Sequence, residues 1–191
     1  MSTPACGDNM EEVLGRAELI HPAQAVREAL DAMAGQITEA MSDRDPILLA
    51  VMTGGMVPAV HLSSRLKFPH RLDYVHATRY ESGIRGGRLE WRARPHLELA
   101  ENSVLIVDDI LDEGITMSAI IDYCRHAGAR DVRTAVLVEK HHTRHRTGVS
   151  PDFSGLQVPD RYVFGCGMDY REYFRHLPAI YALATEQENQ G

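Results

Sequence analysis

The chain has few cysteines and no long hydrophobic run. Its 191 residues include only three cysteines, Cys6, Cys124 and Cys166, which are widely spaced and form no CxxC pair. This spacing argues against a disulfide framework and against a cysteine-based metal site, and it favours a reducing compartment, so we expect the chain to be cytoplasmic. No apolar run approaches the roughly 20 residues that a membrane-spanning helix needs. The N-terminus lacks the basic and apolar regions of a secretory signal.

The chain also has fewer basic residues than acidic ones. Lysine and arginine total 20 against 27 acidic residues, which gives a formal net charge of -7. This balance argues against general affinity for nucleic acid or for an anionic membrane. The remaining composition, 44% hydrophobic and 25% charged, is that of an ordinary globular protein. We therefore expect a single domain over residues 1–191, with a loose N-terminal arm at residues 1–12.

The most informative stretch is an apolar strand that runs directly into acidic residues. Val104–Val107 read as a buried strand, Asp108 and Asp109 follow, and Asp112 precedes a glycine-containing turn that opens a helix. In an open α/β sheet, ligands bind beyond the carboxyl ends of the strands. The start of a helix suits a phosphate, and paired acids suit sugar hydroxyls or a hard cation. One loop of this kind could hold a sugar phosphate by both ends.

Other segments repeat the alternation of strands with helices or loops. Residues 47–52 predict a buried strand that ends at Thr53-Gly54-Gly55, with a helix expected over 58–66. Further strands are expected at 71–78, 89–97 and 132–138, with a polar, glycine-rich loop over 79–88 that is either a hairpin or a mobile lid. This order predicts a parallel α/β sheet.

The N-terminal region has a helical pattern from about residue 12 to residue 41, with a break at His21-Pro22. After the break, one apolar face carries Val26, Leu30, Met33 and Ile37, which are spaced by three or four residues. Packing against the sheet is the expected role of this helix.

A histidine-rich cluster, HHTRHR at 141–146, admits three interpretations. A metal site on a helix is disfavoured because two adjacent histidines cannot share a helix face. A small RNA-binding patch lacks the interleaved aromatic residues that such patches use. We therefore interpret the cluster as a solvated basic loop.

Two of these segments carry a family resemblance. VLIV-DD-IL-DEGIT resembles the phosphoribosyl-pyrophosphate (PRPP) motif of type I phosphoribosyltransferases. Residues 151–177 are similar to the segment that closes the purine pocket in the hypoxanthine-guanine branch of that family. The resemblance covers about residues 45–180. It implies the type I phosphoribosyltransferase fold: a central, mainly parallel sheet flanked by helices, with a flexible loop and a small hood at about residues 150–180.

The resemblance also implies a reaction. A purine salvage enzyme of this family transfers the phosphoribosyl group from PRPP to hypoxanthine or guanine, with Mg²⁺, and gives IMP or GMP and pyrophosphate. The implied general base is Asp112, and the acids at the ribose hydroxyls, directly or through metal, are Asp108 and Asp109. The other residues implied to bind PRPP are Thr53, Gly54, Gly55, Glu113, Gly114, Ile115, Thr116 and Arg175.

The same resemblance implies a purine site. Lys140 would donate to the purine 6-oxo group, Tyr162 would stack on the ring, and Val163 would offer its backbone. Asp169 would bind a second Mg²⁺ or its water shell. Arg79 and Tyr80 would begin the flexible loop, and a homodimer or homotetramer is expected from the family.

The chain departs from the family pattern at three positions. Thr53 stands where many purine-specific members have lysine, and Glu113 and Ile115 occupy phosphate-loop positions that are often small, polar or basic. These departures concern affinity for PRPP rather than the reaction. Two alternatives remain open: a regulatory protein on the same fold that senses PRPP or nucleotides, and a xanthine-preferring enzyme.

Overall fold

The computed structural model describes residues 10–79, 89–142 and 147–183 of the chain. Four α-helices and nine strands lie in these ranges. In chain order they are α1 (Met10–Arg16), β1 (Glu18–His21), α2 (Ala23–Met41), β2 (Ile47–Val51), α3 (Met56–Ser63), β3 (Arg71–Arg79), β4 (Leu89–Ala93), β5 (Ser103–Leu111), α4 (Ile115–His126), β6 (Asp131–Lys140), β7 (Phe153–Val158), β8 (Val163–Phe164) and β9 (Ile180–Ala182).

The larger sheet has six strands in the order β4-β3-β2-β5-β6-β7. All neighbouring strands are parallel except β4, which pairs antiparallel with β3. The central strand β2 and the Val104–Val107 part of β5 are apolar and buried, as expected for strands that are covered on both faces. The predicted α/β fold with a mainly parallel sheet is therefore confirmed. The carboxyl ends of β2, β5 and β6 lie side by side at one edge.

Helices cover both faces of this sheet. The predicted apolar face of α2, including Val26, Leu30 and Ile37, is buried in one core cluster together with residues of α3. Met117, Ile120 and Cys124 of α4 belong to the cluster on the opposite face. The helix α3 begins two residues before the predicted start at Pro58 and ends at Ser63.

A second, three-stranded sheet has the order β1-β9-β8. The strand β1 was expected to be part of a helix from about residue 12, and that prediction is wrong. Glu18–His21 instead pairs antiparallel with β9, in a register that aligns Glu18 with Ala182. Its backbone hydrogen bonds therefore go to residues more than 150 positions away, which no local pattern reveals.

The segment expected to form the hood, residues 150–180, contributes strands to both sheets. The strand β7 pairs in parallel with β6 and so belongs to the larger sheet, and only the part of residues 150–180 that follows it approaches the small sheet. Phe164 anchors this part, since its ring stacks with those of Phe174 and Tyr181 at centroid distances of 5.2 and 5.7 Å.

The strand β5 is longer than predicted. It continues past Val107 to Leu111, so Asp108 and Asp109 lie within the strand rather than in a loop. Successive side chains of a strand point to opposite faces of the sheet, so the side chains of Asp108 and Asp109 point in opposite directions. The strand β6 likewise extends to Lys140, whereas β4 ends at Ala93, short of the predicted residue 97.

Some predictions fall on parts of the chain outside the described residues. The helix α1 begins at Met10, within the arm expected over residues 1–12, and residues 1–9 lie outside. Arg79, expected to begin the flexible loop, is instead the last residue of β3. Tyr80 and the rest of the expected loop to residue 88 lie outside, as do residues 143–146. Within the described ranges, no helix has the length and apolar character needed to cross a bilayer.

Candidate active site

Two cavities lie at the carboxyl edge of the larger sheet. One has a volume of about 410 Å³ and the other of about 180 Å³. Asp109, Ile110 and Asp112 line both cavities, so the two meet along the end of β5. Ligands bound in the two cavities would lie next to each other, as a reaction between them requires.

The larger cavity contains nearly all the residues predicted to bind PRPP. These are Thr53, Gly54, Asp108, Asp109, Asp112, Glu113, Gly114, Ile115, Thr116 and Arg175. Gly55 is the exception, since it lines neither cavity. A Cβ atom at Gly55 would come within 2.5 Å of the Val107 carbonyl oxygen, so this glycine permits close backbone packing behind the site.

The smaller cavity contains all the residues predicted to bind the purine. Lys140, Tyr162, Val163 and Asp169 line it. Met168 also lines it and was not singled out in the sequence. Tyr162 is 44% exposed, which leaves its ring accessible, and partial burial raises the pKa of its hydroxyl.

The predicted phosphate-binding segment depends on Gly114. This residue has a φ of +80° and immediately precedes α4, a conformation that favours glycine. The first turn of α4 has backbone N–H groups without partners inside the helix, and it lines the larger cavity. Thr147 supports the turn from outside, because its backbone N–H donates to the Glu113 carbonyl oxygen at 3.1 Å. The result is a preformed anion cradle.

Asp108 and Asp109 are close and largely buried. Burial raises the pKa of Asp108 well above its ordinary value, and the negative charge of Asp109 raises it further. Burial also raises the pKa of Asp109, although backbone hydrogen bonds and the charge of Arg175 act in the opposite direction. Each carboxylate accepts a hydrogen bond at 2.9 Å from the next backbone N–H. A bound cation or hydroxyl donors would stabilise the ionised form of such a pair.

Arg175 joins two parts of the site. One guanidinium nitrogen donates to the Gly167 carbonyl oxygen at 2.6 Å, and the other lies 2.6 Å from Asp169 Oδ1. Asp169 also accepts a hydrogen bond from the Glu172 backbone N–H at 2.7 Å. The arginine therefore holds an acid of the smaller cavity while it lines the larger one.

Asp112 lies between two nitrogen atoms. Lys140 Nζ is 3.2 Å from Asp112 Oδ2, and His142 Nε2 is 2.8 Å from Asp112 Oδ1. The side chain of Lys140 is 13% exposed, that of His142 is fully buried, and that of Asp112 is 39% exposed. The carboxylate is thus accessible from the cavities and approached by basic groups from the end of β6.

The position of His142 corrects the sequence interpretation of the HHTRHR cluster. His141 is exposed, as expected of a solvated loop, but the side chain of His142 has no exposed surface. The sequence signal for this contact is spacing, because Lys140 and His142 are two positions apart and an extended chain then places both side chains on one side. The basic composition of the cluster as a whole obscures this contact in the sequence.

The donor set suits a hard cation. Asp108, Asp109 and Asp169 offer carboxylate oxygens, the ligand type that Mg²⁺ prefers. Among the residues that the structure describes, no three histidine, cysteine or acidic side chains converge closely enough to hold a metal by themselves. Mg²⁺ commonly takes one or two protein carboxylates and completes its shell with water and substrate phosphates, so these residues fit that mode.

The fold and the edge of the sheet at which the cavities open define an α/β protein of the type whose ligands bind beyond the carboxyl ends of parallel strands. A family model described as the phosphoribosyl transferase domain matches residues 17–171. The chain therefore belongs to the phosphoribosyltransferase family.

Curated relatives agree with this assignment. A hypoxanthine-guanine phosphoribosyltransferase from Aquifex aeolicus is 28% identical over 180 residues, which cover 91% of this chain and 99% of that protein. A hypoxanthine-guanine-xanthine phosphoribosyltransferase from Tritrichomonas foetus is 27% identical over 173 residues, 91% of each chain. Among solved structures, a hypoxanthine phosphoribosyltransferase from Staphylococcus aureus matches with a TM-score of 0.85 at 21% identity, covering 95% of this chain and 98% of that one. This likeness confirms the predicted type I phosphoribosyltransferase fold.

Proposed function

We propose that the protein is a purine salvage enzyme that transfers the 5-phosphoribosyl group from PRPP to hypoxanthine or guanine. The products are IMP or GMP and pyrophosphate. The observation that carries the proposal is the meeting of two cavities at Asp112, where one has an anion cradle and paired acids and the other has a lysine and an exposed tyrosine ring. The names of the relatives support the choice of purine bases.

The larger cavity is suited to hold PRPP by its charged ends. The N–H groups at the start of α4 would bind the 5′-phosphate, and Asp108 and Asp109 would hold the ribose hydroxyls. Arg175 would contact the pyrophosphate, since its guanidinium lies at the border of the two cavities. Fixing the ribose and neutralising the leaving group lower the barrier to a transition state with oxocarbenium character.

Asp112 is the proposed general base. When a ring nitrogen of the purine attacks C1 of the ribose, the base must lose a proton, and a carboxylate at the junction of the cavities can accept it from N7. Lys140 would donate a hydrogen bond to the 6-oxo group, and Tyr162 would provide a flat wall for the ring. Val163 would contribute backbone groups at the base edge.

The proposed cofactor is Mg²⁺, held by Asp108, Asp109 and Asp169 in part through water. When bound, it would neutralise charge on the diphosphate. Asp108 and Asp109 have raised pKa values because they are buried together, so a cation would favour their ionised form.

Three site residues are expected to weaken PRPP binding relative to the family pattern. Thr53 and Ile115 line the larger cavity without a charge, and Glu113 adds a negative one. We expect the backbone N–H groups, the cation and Arg175 to carry most of the phosphate binding.

Base preference and assembly are separate parts of the proposal. A hydrogen bond from Lys140 to the 6-oxo group would not distinguish one 6-oxopurine from another. One relative is named for xanthine as well as hypoxanthine and guanine, so a xanthine-preferring enzyme is the nearest alternative. We propose a cytoplasmic homodimer or homotetramer that needs neither membrane nor nucleic acid. A regulatory protein on this fold is the alternative from another functional class.

The test is a spectrophotometric assay with PRPP and Mg²⁺ in which hypoxanthine, guanine, xanthine and adenine are compared. We expect turnover of hypoxanthine or guanine, and a loss of at least a hundredfold in kcat for Asp112→Asn because general-base catalysis contributes about that much. Asp122→Asn is the matched control, since Asp122 is an exposed acid on α4. Turnover of xanthine alone would change the substrate, and PRPP binding without turnover of any base would favour the regulatory protein.

A further inference from the structure

His142 is a buried histidine that the proposed reaction does not use. It follows β6 by two residues, and its side chain has no exposed surface. It lines neither of the two cavities, so it is not placed to contact a substrate. Its Nε2 atom lies 2.8 Å from Oδ1 of Asp112, the proposed general base.

The contact with Asp112 is close but incomplete. Nε2 lies 2.8 Å from Asp112 Oδ1, yet neither ring nitrogen makes a regularly aligned hydrogen bond with a described residue. Burying a polar ring without such bonds is costly, and an apolar side chain would fill the same space without that cost. Hydrogen bonds of catalytic groups are often poorly aligned before the substrate binds. The contact therefore points to a role that is completed in the bound state.

The two basic groups approach different oxygens of Asp112. Lys140 Nζ lies near Oδ2 and also lines the purine cavity, whereas His142 lies near Oδ1 on the buried side. A carboxylate restrained at both oxygens has a defined orientation of its lone pairs. Lys140 must also serve the proposed contact with the base, so His142 is the partner that can stay in place throughout the reaction.

We propose that His142 is a positioning residue that orients the Asp112 carboxylate for proton transfer from the purine. This inference rests on the proposed function, since it deepens the role of the same site. A neutral imidazole with its proton on Nε2 would donate to Oδ1 and leave an oxygen of the carboxylate facing the cavity. Loss of orientation acts on the chemical step and leaves the PRPP site in the larger cavity intact.

The first experiment compares three single variants. His142→Met removes the donor and fills a similar volume, His142→Gln keeps an N–H donor near the position of Nε2, and His141→Gln changes the exposed neighbour as a matched control. We expect His142→Met to lower kcat about tenfold or more with little change in KM for PRPP, because misplacement of a catalytic group acts on the reacting geometry. His142→Gln should recover most of the activity. Equal losses in His142→Met and His142→Gln, or none in either, would overturn the proposal.

The second experiment is a double-mutant cycle with Asp112→Asn. If His142 acts through Asp112, His142→Met should cost far less in the Asp112→Asn background than in the wild type. A merely structural histidine would cause the same loss in both backgrounds, together with a lower melting temperature. That result would assign His142 to packing.

The third experiment does not depend on turnover. The ring signals of His142 in ¹⁵N-histidine spectra can be assigned by their loss in His142→Gln, and they should report a proton on Nε2 in the wild type. We expect them to shift in Asp112→Asn and to stay unchanged in Asp122→Asn. Unchanged signals in both variants would overturn the contact even in an active enzyme. Shifted signals in a protein that turns over no purine would instead reject the proposed function and the catalytic role with it.

Discussion

Gly54 lies directly against the carboxylate of Asp109. A Cβ atom built on Gly54 would overlap Asp109 Oδ2, and one built on Gly167 would come within 3.1 Å of Asp109 Cβ. The absence of a side chain at both glycines therefore provides room for the Asp109 side chain. The Gly-Gly turn after β2 has a defined use here, which is to let the backbone approach a side chain of the neighbouring strand.

This relationship predicts different outcomes for two adjacent alanine substitutions. Gly54→Ala should displace the Asp109 side chain and lower affinity for PRPP with Mg²⁺ about tenfold or more, because the displaced group is a proposed ligand of both. Gly55→Ala should mainly lower stability, since its Cβ atom would meet the backbone carbonyl oxygens of Val107 and Val51 at 2.5 and 2.7 Å. Calorimetric titration with PRPP and thermal unfolding separate the two. Normal PRPP affinity in Gly54→Ala would contradict the assignment of Asp109.

Much of the fold was predictable because its signals are local. The strand β2 is a continuous apolar run, β5 and β6 each contain one, and α2 has one apolar face, so the pattern of apolar residues agrees with the observed burial. The strand β1 was not predictable because ELIH carries no strand period, and only its pairing with β9 makes it a strand.

The candidate site also contains residues that the local sequence predicts and one whose position depends on the tertiary structure. The cradle at Gly114 and the acid pair stand in one contiguous motif, and the predicted members of both cavities lie together. His142 belongs to a loop whose composition indicates solvent, and its burial depends on the end of β5 coming to lie beside the end of β6. Such a contact exists only once the strands are ordered in the sheet.

The buried acid pair predicts an unusual dependence of stability on pH. The raised pKa of Asp108 means that, above its ordinary value of 3.8, the folded state holds its proton longer than the unfolded state does. The free energy of unfolding of the metal-free protein therefore falls as the pH rises from about 4 toward the raised folded-state pKa. Asp108→Asn should remove this contribution and raise the melting temperature at neutral pH in the presence of a chelator.

Two controls define that experiment. The stability difference between Asp108→Asn and the wild type should shrink as the pH falls toward about 4, because the unfolded state of the wild type then also begins to bind the proton on Asp108. Addition of Mg²⁺ and PRPP should stabilise the wild type more than the variant. A variant that is less stable than the wild type at neutral pH, without ligands, would show that the acid pair is not under electrostatic strain.

Arg175 should not be replaceable by lysine. Its two guanidinium nitrogens serve the Gly167 carbonyl oxygen and Asp169 at the same time, and a single ammonium group cannot reproduce that fork. We expect Arg175→Lys to raise KM for PRPP about tenfold and to weaken inhibition by pyrophosphate. Arg133→Lys is a suitable control, since Arg133 pairs with Asp152 and Asp131 and lines neither cavity. Steady-state kinetics with varied PRPP measures the effect, and equal behaviour of the two variants would contradict the role of Arg175.

A substitution at Ile115 is expected to improve the binding of PRPP. It is the first residue of α4, lines the larger cavity and is 40% exposed, so a longer polar side chain can be accommodated at the anion cradle. Ile115→Lys should lower KM for PRPP several-fold, because a cation near the proposed phosphate site adds attraction that partly offsets the acids around it. Ile115→Gln controls for size and polarity without charge. The gain should diminish as salt is raised, since exposed charges are screened. An unchanged KM in Ile115→Lys, or an equal gain in Ile115→Gln, would place the 5′-phosphate away from the start of α4.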